Sequence, residues 1–271
     1  MIKKLAILCL SALMMPAVAF AQGTDNDLEN DFGSRFSVNF DKKVSKGFHI
    51  VASGEARISD NMSDFGRYQF GLGASYKINN IFKVGAGYVL IEKKNSSDVW
   101  KARHRFLAYG QATLRSGDWR FSLRETLQYT HRNVNNKFQN TPNSLTLKSR
   151  VKAAYKASRS LTPYGYVELR NVFNDPAFTA TWSTASNAYF YDDEDHPFSF
   201  DGYSHTYLNR LRGGLGLVWN ISKTHAIDFF VLADYCRDKN IDTNSSGTKL
   251  KSLTWDRDLN ISLGVEYTIN F

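Results

Sequence analysis

Cysteine and proline are both scarce in this chain: 271 residues hold 2 cysteines and 5 prolines. Cys9 lies in an N-terminal leader, so Cys236 alone would remain once that leader is removed, and no internal disulfide could form. Few prolines beside 19 phenylalanines and 14 tyrosines suit long strands, in which a proline would delete a ladder hydrogen bond. Long hydrophobic runs are missing as well. Beyond the leader no stretch reaches 18 apolar residues, which excludes a helical membrane protein. No phosphate-cradling loop, metal-ligand cluster or domain linker is found, and no cofactor is expected. Basic residues outnumber acidic ones by 34 to 26, but no basic helix or stacking platform accompanies them, so nucleic acid is not an expected partner.

What is present begins with residues 1–21. Lys3 and Lys4 precede an apolar stretch over 5–18, and Ala19-Phe20-Ala21 offers a cleavage site. The stretch is short for a spanning helix, so it reads as a removable secretory signal, leaving residues 22–271 as one β-barrel domain. Cys9 follows Leu8, not a small residue, and lipidation is not expected.

The chain closes on Leu259-Asn-Ile-Ser-Leu-Gly-Val-Glu-Tyr-Thr-Ile-Asn-Phe271, in which apolar residues alternate with polar or small ones. A strand turns successive side chains to opposite faces, so one face here is oily and the other wet. Bacterial outer-membrane barrels turn such a face to lipid and commonly finish on an aromatic residue at this spacing, which marks Tyr267, Ile269 and Phe271 as an insertion signal. Ten further period-2 segments precede it, over 32–44, 48–59, 66–78, 81–93, 100–115, 119–132, 145–156, 161–173, 207–221 and 225–237. Short breaks (45–47, 79–80, 116–118, 157–160, 222–224) alternate with long ones (60–65, 94–99, 133–144, 174–206, 238–254). Short periplasmic turns and longer outer loops produce that alternation. Aromatic residues bracket the short turns, among them Phe40, Phe48, Tyr76, Phe82, Trp119, Tyr155, Tyr164 and Trp219, as the headgroup level favours. The mean hydropathy of −0.39 fits a barrel with a polar interior.

The fold read from this pattern is all-β, an antiparallel up-and-down transmembrane barrel in the bacterial outer membrane. Eleven segments are awkward, because single-chain bacterial barrels usually have even numbers. Either residues 22–31, read as a flexible acidic lead, thread back through the pore, or a strand has been missed or split. Twelve strands are expected, with ten as the alternative. The loop at 174–206, which carries Tyr189-Phe190-Tyr191, could fold a small hairpin.

Assigning apolar alternates outward puts many charges inside. The basic set is Arg57, Arg67, Arg103, Arg105, Arg124, Lys148, Arg150, Lys152, Arg170, Arg210 and Arg212; the acidic set is Glu55, Glu168, Asp228, Asp234 and Glu266. The strands between 100 and 221 carry mostly cations, so one wall should be basic, with acids on other strands or beside single arginines, as in Glu55/Arg57 and Glu168/Arg170. Two readings follow. Interlocked arginine–carboxylate pairs could fill a narrow barrel, or surplus arginines could form an electropositive constriction for anions, since guanidinium suits carboxylate and phosphate. Expected partners are membrane lipid, the barrel-assembly machinery and, on the second reading, a small anionic solute.

Catalytic signals are weak. His104 alternates away from Arg103 and Arg105 toward lipid, while His131 and His205 lie near strand tops with no nucleophile assembled beside them. Tyr191-Asp-Asp-Glu-Asp-His196 lacks the glycine and alternation of a calcium loop and reads as a solvated loop. No catalytic or metal residue is assigned. A lipid-modifying enzyme using rim histidines and serines, and a periplasmic β-sandwich binding protein, stand as alternatives.

The chain also resembles an uncharacterised family of bacterial outer-membrane barrels, domain of unknown function 2490. The likeness rests on Phe32-Gly33, Glu55-Ala-Arg57, Arg103-His-Arg105-Phe106, Pro163-Tyr-Gly-Tyr-Val-Glu168, Arg210-Leu-Arg212 and the barrel ending. The resemblance implies a membrane location and no known activity, so it assigns no catalytic residues.

Overall fold

A computed structural model describes residues 24–95, 97–179, 181–183, 188–190, 199–246 and 250–271. The leader at 1–21 and the acidic run at 191–196 lie outside the described residues. Eleven strands form one closed barrel. In chain order they are β1 (Thr24–Ser45), β2 (Phe48–Ser59), β3 (Asp64–Lys77), β4 (Phe82–Lys94), β5 (Trp100–Ser116), β6 (Trp119–Arg132), β7 (Asn143–Tyr155), β8 (Leu161–Asp175), β9 (His205–Asn220), β10 (His225–Thr243) and β11 (Leu250–Asn270). Each period-2 segment of the sequence becomes one of them.

Consecutive strands pair antiparallel around the wall, and the barrel closes where β1 meets β11 in parallel. That seam resolves the parity problem. Parallel closure needs an odd number of crossings, so the count is eleven and not twelve or ten. It also corrects the reading of residues 22–31. From Thr24 onward they neither thread the lumen nor dangle; they extend β1 along β11, with Thr24 opposite Thr254 and Asp31 opposite Asn260. Arg257 Nε donates to the Asn26 carbonyl at 2.9 Å, and Asp31 accepts the Asn61 backbone N–H at 2.9 Å. The first and last strands therefore run in the same direction, and both start at the long-loop end.

The outward face is apolar and uncovered. Leu215 is 70% exposed and Leu72 64%, values that no second protein layer would allow, so the two-layer sandwich is not the fold. At the short-turn end Trp119 packs 5.9 Å from Phe121 and 5.0 Å from Tyr155, and Lys42 Nζ sits 5.6 Å from the Phe271 ring. Inside, bulky rings lie over bare backbone on the next strand. Tyr164 covers Gly216 and Tyr166 covers Gly214 so closely that a Cβ at either glycine would meet the ring at 2.5 or 2.3 Å.

The loop after β8 folds as a ribbon: Phe178–Thr179 pairs with Ser199–Phe200, and Thr181–Ser183 with Ala188–Phe190, the small hairpin expected there. Neighbouring loops are tied to one another across the mouth. From the β6–β7 loop, Asn136 Nδ2 donates to Thr243 Oγ1 at 3.1 Å and Gln139 Nε2 to Asp242 Oδ1 at 2.8 Å, both on the far tip of β10. The Tyr203 hydroxyl donates to the Lys137 carbonyl at 2.9 Å.

Candidate functional site: the charged lumen

Alternation puts the site's side chains on the wet face of each strand. Cations line β5 to β9 (Arg103, Arg105, Arg124, Lys148, Arg150, Lys152, Arg170, Arg210, Arg212), whereas Asp228 and Asp234 stand on β10 and Glu266 on β11. Asp228 and Glu266 are direct cross-strand partners. The lumen therefore has a basic wall with a weaker acidic one beside it.

One group of these charges is neutralised. Asp234, 3% exposed, accepts from Arg212 Nε, from Arg212 at a second nitrogen at 2.8 Å, and from Arg35 at 3.0 Å. Glu168, also 3% exposed, takes two nitrogens of Arg150 at 2.7 and 2.5 Å and lies 3.8 Å from Arg212. The result is an interlocked knot of three guanidiniums and two carboxylates across β1, β7, β8, β9 and β10, with Arg212 bidentate on Asp234. Glu55 pairs with Arg57, as the sequence implied. Glu168 does not pair with Arg170 beside it. Arg150, facing it across the β7–β8 ladder, reaches the carboxylate first, and Arg170 Nε is left without a partner.

A second group is not neutralised. Arg105 Nε donates only to Thr130 Oγ1, at 3.1 Å, and lies in the field of Arg170, Arg57, Arg103 and Arg210. Arg67 bonds Gln69 at 2.7 Å and keeps an unpartnered Nε. Arg210 Nε finds the Cys236 sulfur at 3.2 Å. Lys148 feels Glu168 but also Arg105, Arg212 and Arg170. Strands β3, β5, β7, β8 and β9 thus aim unpaired cations into the same long-loop half of the lumen.

Lower down, cations lie flat on tyrosines. The Arg124 guanidinium is 3.7 Å from the Tyr109 centroid, Arg150 4.5 Å from Tyr166, and Lys152 Nζ 3.3 Å from Tyr164, whose hydroxyl donates to Asp228 at 2.8 Å. At the short-turn end a cavity of about 370 Å³ is lined by Arg115, Arg120, Lys156 and Arg159. Positive side chains consequently run the whole height of one wall.

Sequence reasoning missed Arg35, Tyr109 and Tyr166, and it set Tyr164 among the headgroup aromatics, whereas the structure turns that ring into the lumen over Gly216 and under Lys152. The alternation around Phe36 already turned Arg35 inward; the tyrosines gave no signal, because aromatic residues on strands read as outward. Of the insertion signal, Phe271 is 61% exposed, Ile269 pairs with His225 and with Phe40, and the Tyr267 hydroxyl contacts His225 Nδ1 at 2.7 Å. His104 faces outward and bonds the Tyr88 hydroxyl at 2.7 Å. His131 bonds Asn143 at 2.8 Å, and His205 lies 3.2 Å from Lys239 Nζ.

The chain belongs to the family described as protein of unknown function (DUF2490), whose model matches residues 32–245, from Phe32 in β1 through the end of β10. Among curated proteins none matches.

Proposed function

We propose that the chain is an outer-membrane barrel whose lumen conducts or holds small anionic solutes. The observation that carries this reading is the row of unpaired cations, Arg67, Arg105, Lys148, Arg170 and Arg210, converging in one half of the lumen. Mutual repulsion inside a low-dielectric wall is a standing cost unless an anion offsets it. Eleven strands spaced ~4.8 Å apart and tilted ~40° enclose a wall about 22 Å across at the backbone. Side chains from both sides narrow that to a passage for small solutes. The uncovered apolar face and the aromatic rings at the short turns support lipid as the surroundings. No catalytic role is proposed.

The test is reversal potential in a planar bilayer under a potassium chloride gradient. Wild-type protein is expected to favour chloride. Reversing Arg105, Arg170 and Arg210 to glutamate should lower the anion-to-cation permeability ratio by about tenfold or more. Unchanged selectivity rejects the anion reading.

The second reading is a closed structural barrel. Specific support for it lies in the bonds from Asn136 and Gln139 across the mouth to β10. Absence of conductance in both proteins would favour it.

A further inference from the structure

Counted from the short-turn end, one level of the lumen gathers cations from most of the wall. Arg35 lies ten residues from Ser45 on β1, Arg57 nine from Phe48 on β2, Arg67 ten from Lys77 on β3, and Lys93 eleven from Phe82 on β4. Farther round, Arg105 lies eleven residues from Ser116, Arg170 nine from Leu161 and Arg210 ten from Asn220. All alternate inward, ~25 Å above the short turns at ~3.3 Å per residue and a ~40° tilt. At that height the other four strands bring Thr130, Thr146, Asp234 and Asn260, so seven cations meet one carboxylate. Asp234 is already held by Arg35 and Arg212, and Glu55, two residues lower on β2, holds Arg57. Among the described residues no carboxylate lies within ion-pair distance of Arg67, Lys93, Arg105, Arg170 or Arg210.

The ladder register makes this level costly. Arg35 is the direct cross-strand partner of Arg57, Arg57 of Arg67, Arg67 of Lys93, and Arg170 of Arg210. Like charges set opposite one another destabilise a sheet, and four such pairs share this ring. The ring is also narrow: Arg105 on β5 lies in the field of Arg57 on β2 and of Arg170 and Arg210 on β8 and β9. Asp238, higher on β10, offsets Lys93 and Arg170 only from a distance. The chain closes off Nε of Arg67 and of Arg170. Even so, the five side chains without a carboxylate all keep surface on the lumen side, Lys93 the most, and a solute on the axis reaches them there.

We infer that this level is a binding ring for a tetrahedral dianion, a sulfate or a phosphate group, which deepens the anionic reading above and rests on it. Cations converge from β2 to β4, from β5 and from β8 and β9, which is from several sides of the axis at once. A carboxylate presents two oxygens along one edge and satisfies one side of such a ring. A tetrahedral group presents oxygens in every direction, each able to accept from a cation at about 2.8 Å. Its two charges also offset more of the mutual repulsion than the single charge of chloride.

The test is equilibrium dialysis of radiolabelled sulfate against the folded barrel in an uncharged detergent, with unlabelled anions as competitors. Hydrogen phosphate is expected to displace the label at concentrations about tenfold or more below those needed for acetate or chloride. Glycerol 3-phosphate distinguishes the source: displacement equal to that by hydrogen phosphate assigns the ring to phosphate esters, and none assigns it to the free ion. Arg67→Gln with Arg170→Gln should weaken sulfate binding by about tenfold or more. Arg115→Gln with Arg120→Gln removes an equal charge from the short-turn cavity and should leave binding within about twofold of wild type. The ring variant relieves repulsion, so its urea unfolding without sulfate should be no easier than that of wild type, which separates lost binding from lost folding. Equal competition by all four anions, or equal weakening by both double variants, overturns the ring. Anion-selective conductance without sulfate binding overturns the ring and leaves the anion reading standing. Binding without conductance keeps the ring and overturns conduction.

Discussion

Two sets of arginines project into this lumen, and they are held in opposite ways. Arg212, Arg35 and Arg150 are locked on Asp234 and Glu168, whereas Arg105, Arg170 and Arg210 have only a hydroxyl, nothing at Nε, or a thiol. The first set spans five strands and behaves as cross-bracing. The second adds no bracing and concentrates charge. Had the chain needed only a filled interior, carboxylates opposite β5 and β8 would have served, as they do at Arg212.

The comparison is broken most severely from the braced side. Asp234→Ala strands Arg212 and Arg35 in a buried position, and losing one partner of such a pair costs about 3–5 kcal/mol. The urea midpoint of the refolded barrel should fall sharply, with ion selectivity little changed in whatever fraction folds. The same operation on the unpaired side should invert that outcome. Arg105→Gln relieves repulsion and is expected to leave the free energy of urea unfolding within about 0.5 kcal/mol of wild type while shifting the reversal potential toward cations. Equal destabilisation by both variants would erase the distinction.

A smaller effect sharpens how stiff the wall beneath both sets is. An added Cβ at Gly264 would lie 2.1 Å from the Phe230 ring, so Gly264→Ala must displace that ring, at about 1–3 kcal/mol. Combining it with Phe230→Leu should recover part of the loss in urea unfolding, a coupling expected of residues in contact. The smallest effect belongs to the mouth. Removing both amide bridges with Asn136→Ala and Gln139→Ala eases local opening of the mouth by about 1 kcal/mol per hydrogen bond or less, and should speed thiol labelling of buried Cys236 severalfold with little change in the unfolding midpoint.

The sequence was most legible where physics is local. Alternation with period 2 located every strand, and the alternation of short and long breaks assigned the two ends, because both signals are written within a dozen residues. The seam was not legible, since pairing Thr24 with Thr254 joins opposite ends of the chain and leaves no mark on either segment. Facing was also readable: Arg105, Arg170 and Glu168 point where alternation sends them. Partner choice was not. Adjacency on one strand implied Glu168 with Arg170, but the cross-strand ladder brings Arg150 to that carboxylate instead. The tyrosines under Arg124 and Arg150 escaped notice, and Tyr164 under Lys152 was set at the headgroup level, because an aromatic ring reads as oily and only the glycines across the ladder reveal inward room for it.

The parallel seam has a consequence for how such a wall is put together. Antiparallel crossings can be laid down as ready-made hairpins, two at a time; the five short turns join β1–β2 through β9–β10 in this way, and the odd total leaves β11 with no twin. The outer edge of β1 must then wait, unzipped, until β11 is in place to cover it, and the bonds that do so are of the slightly weaker slanted kind. The last stitch thus falls between the first and the last strand of the barrel.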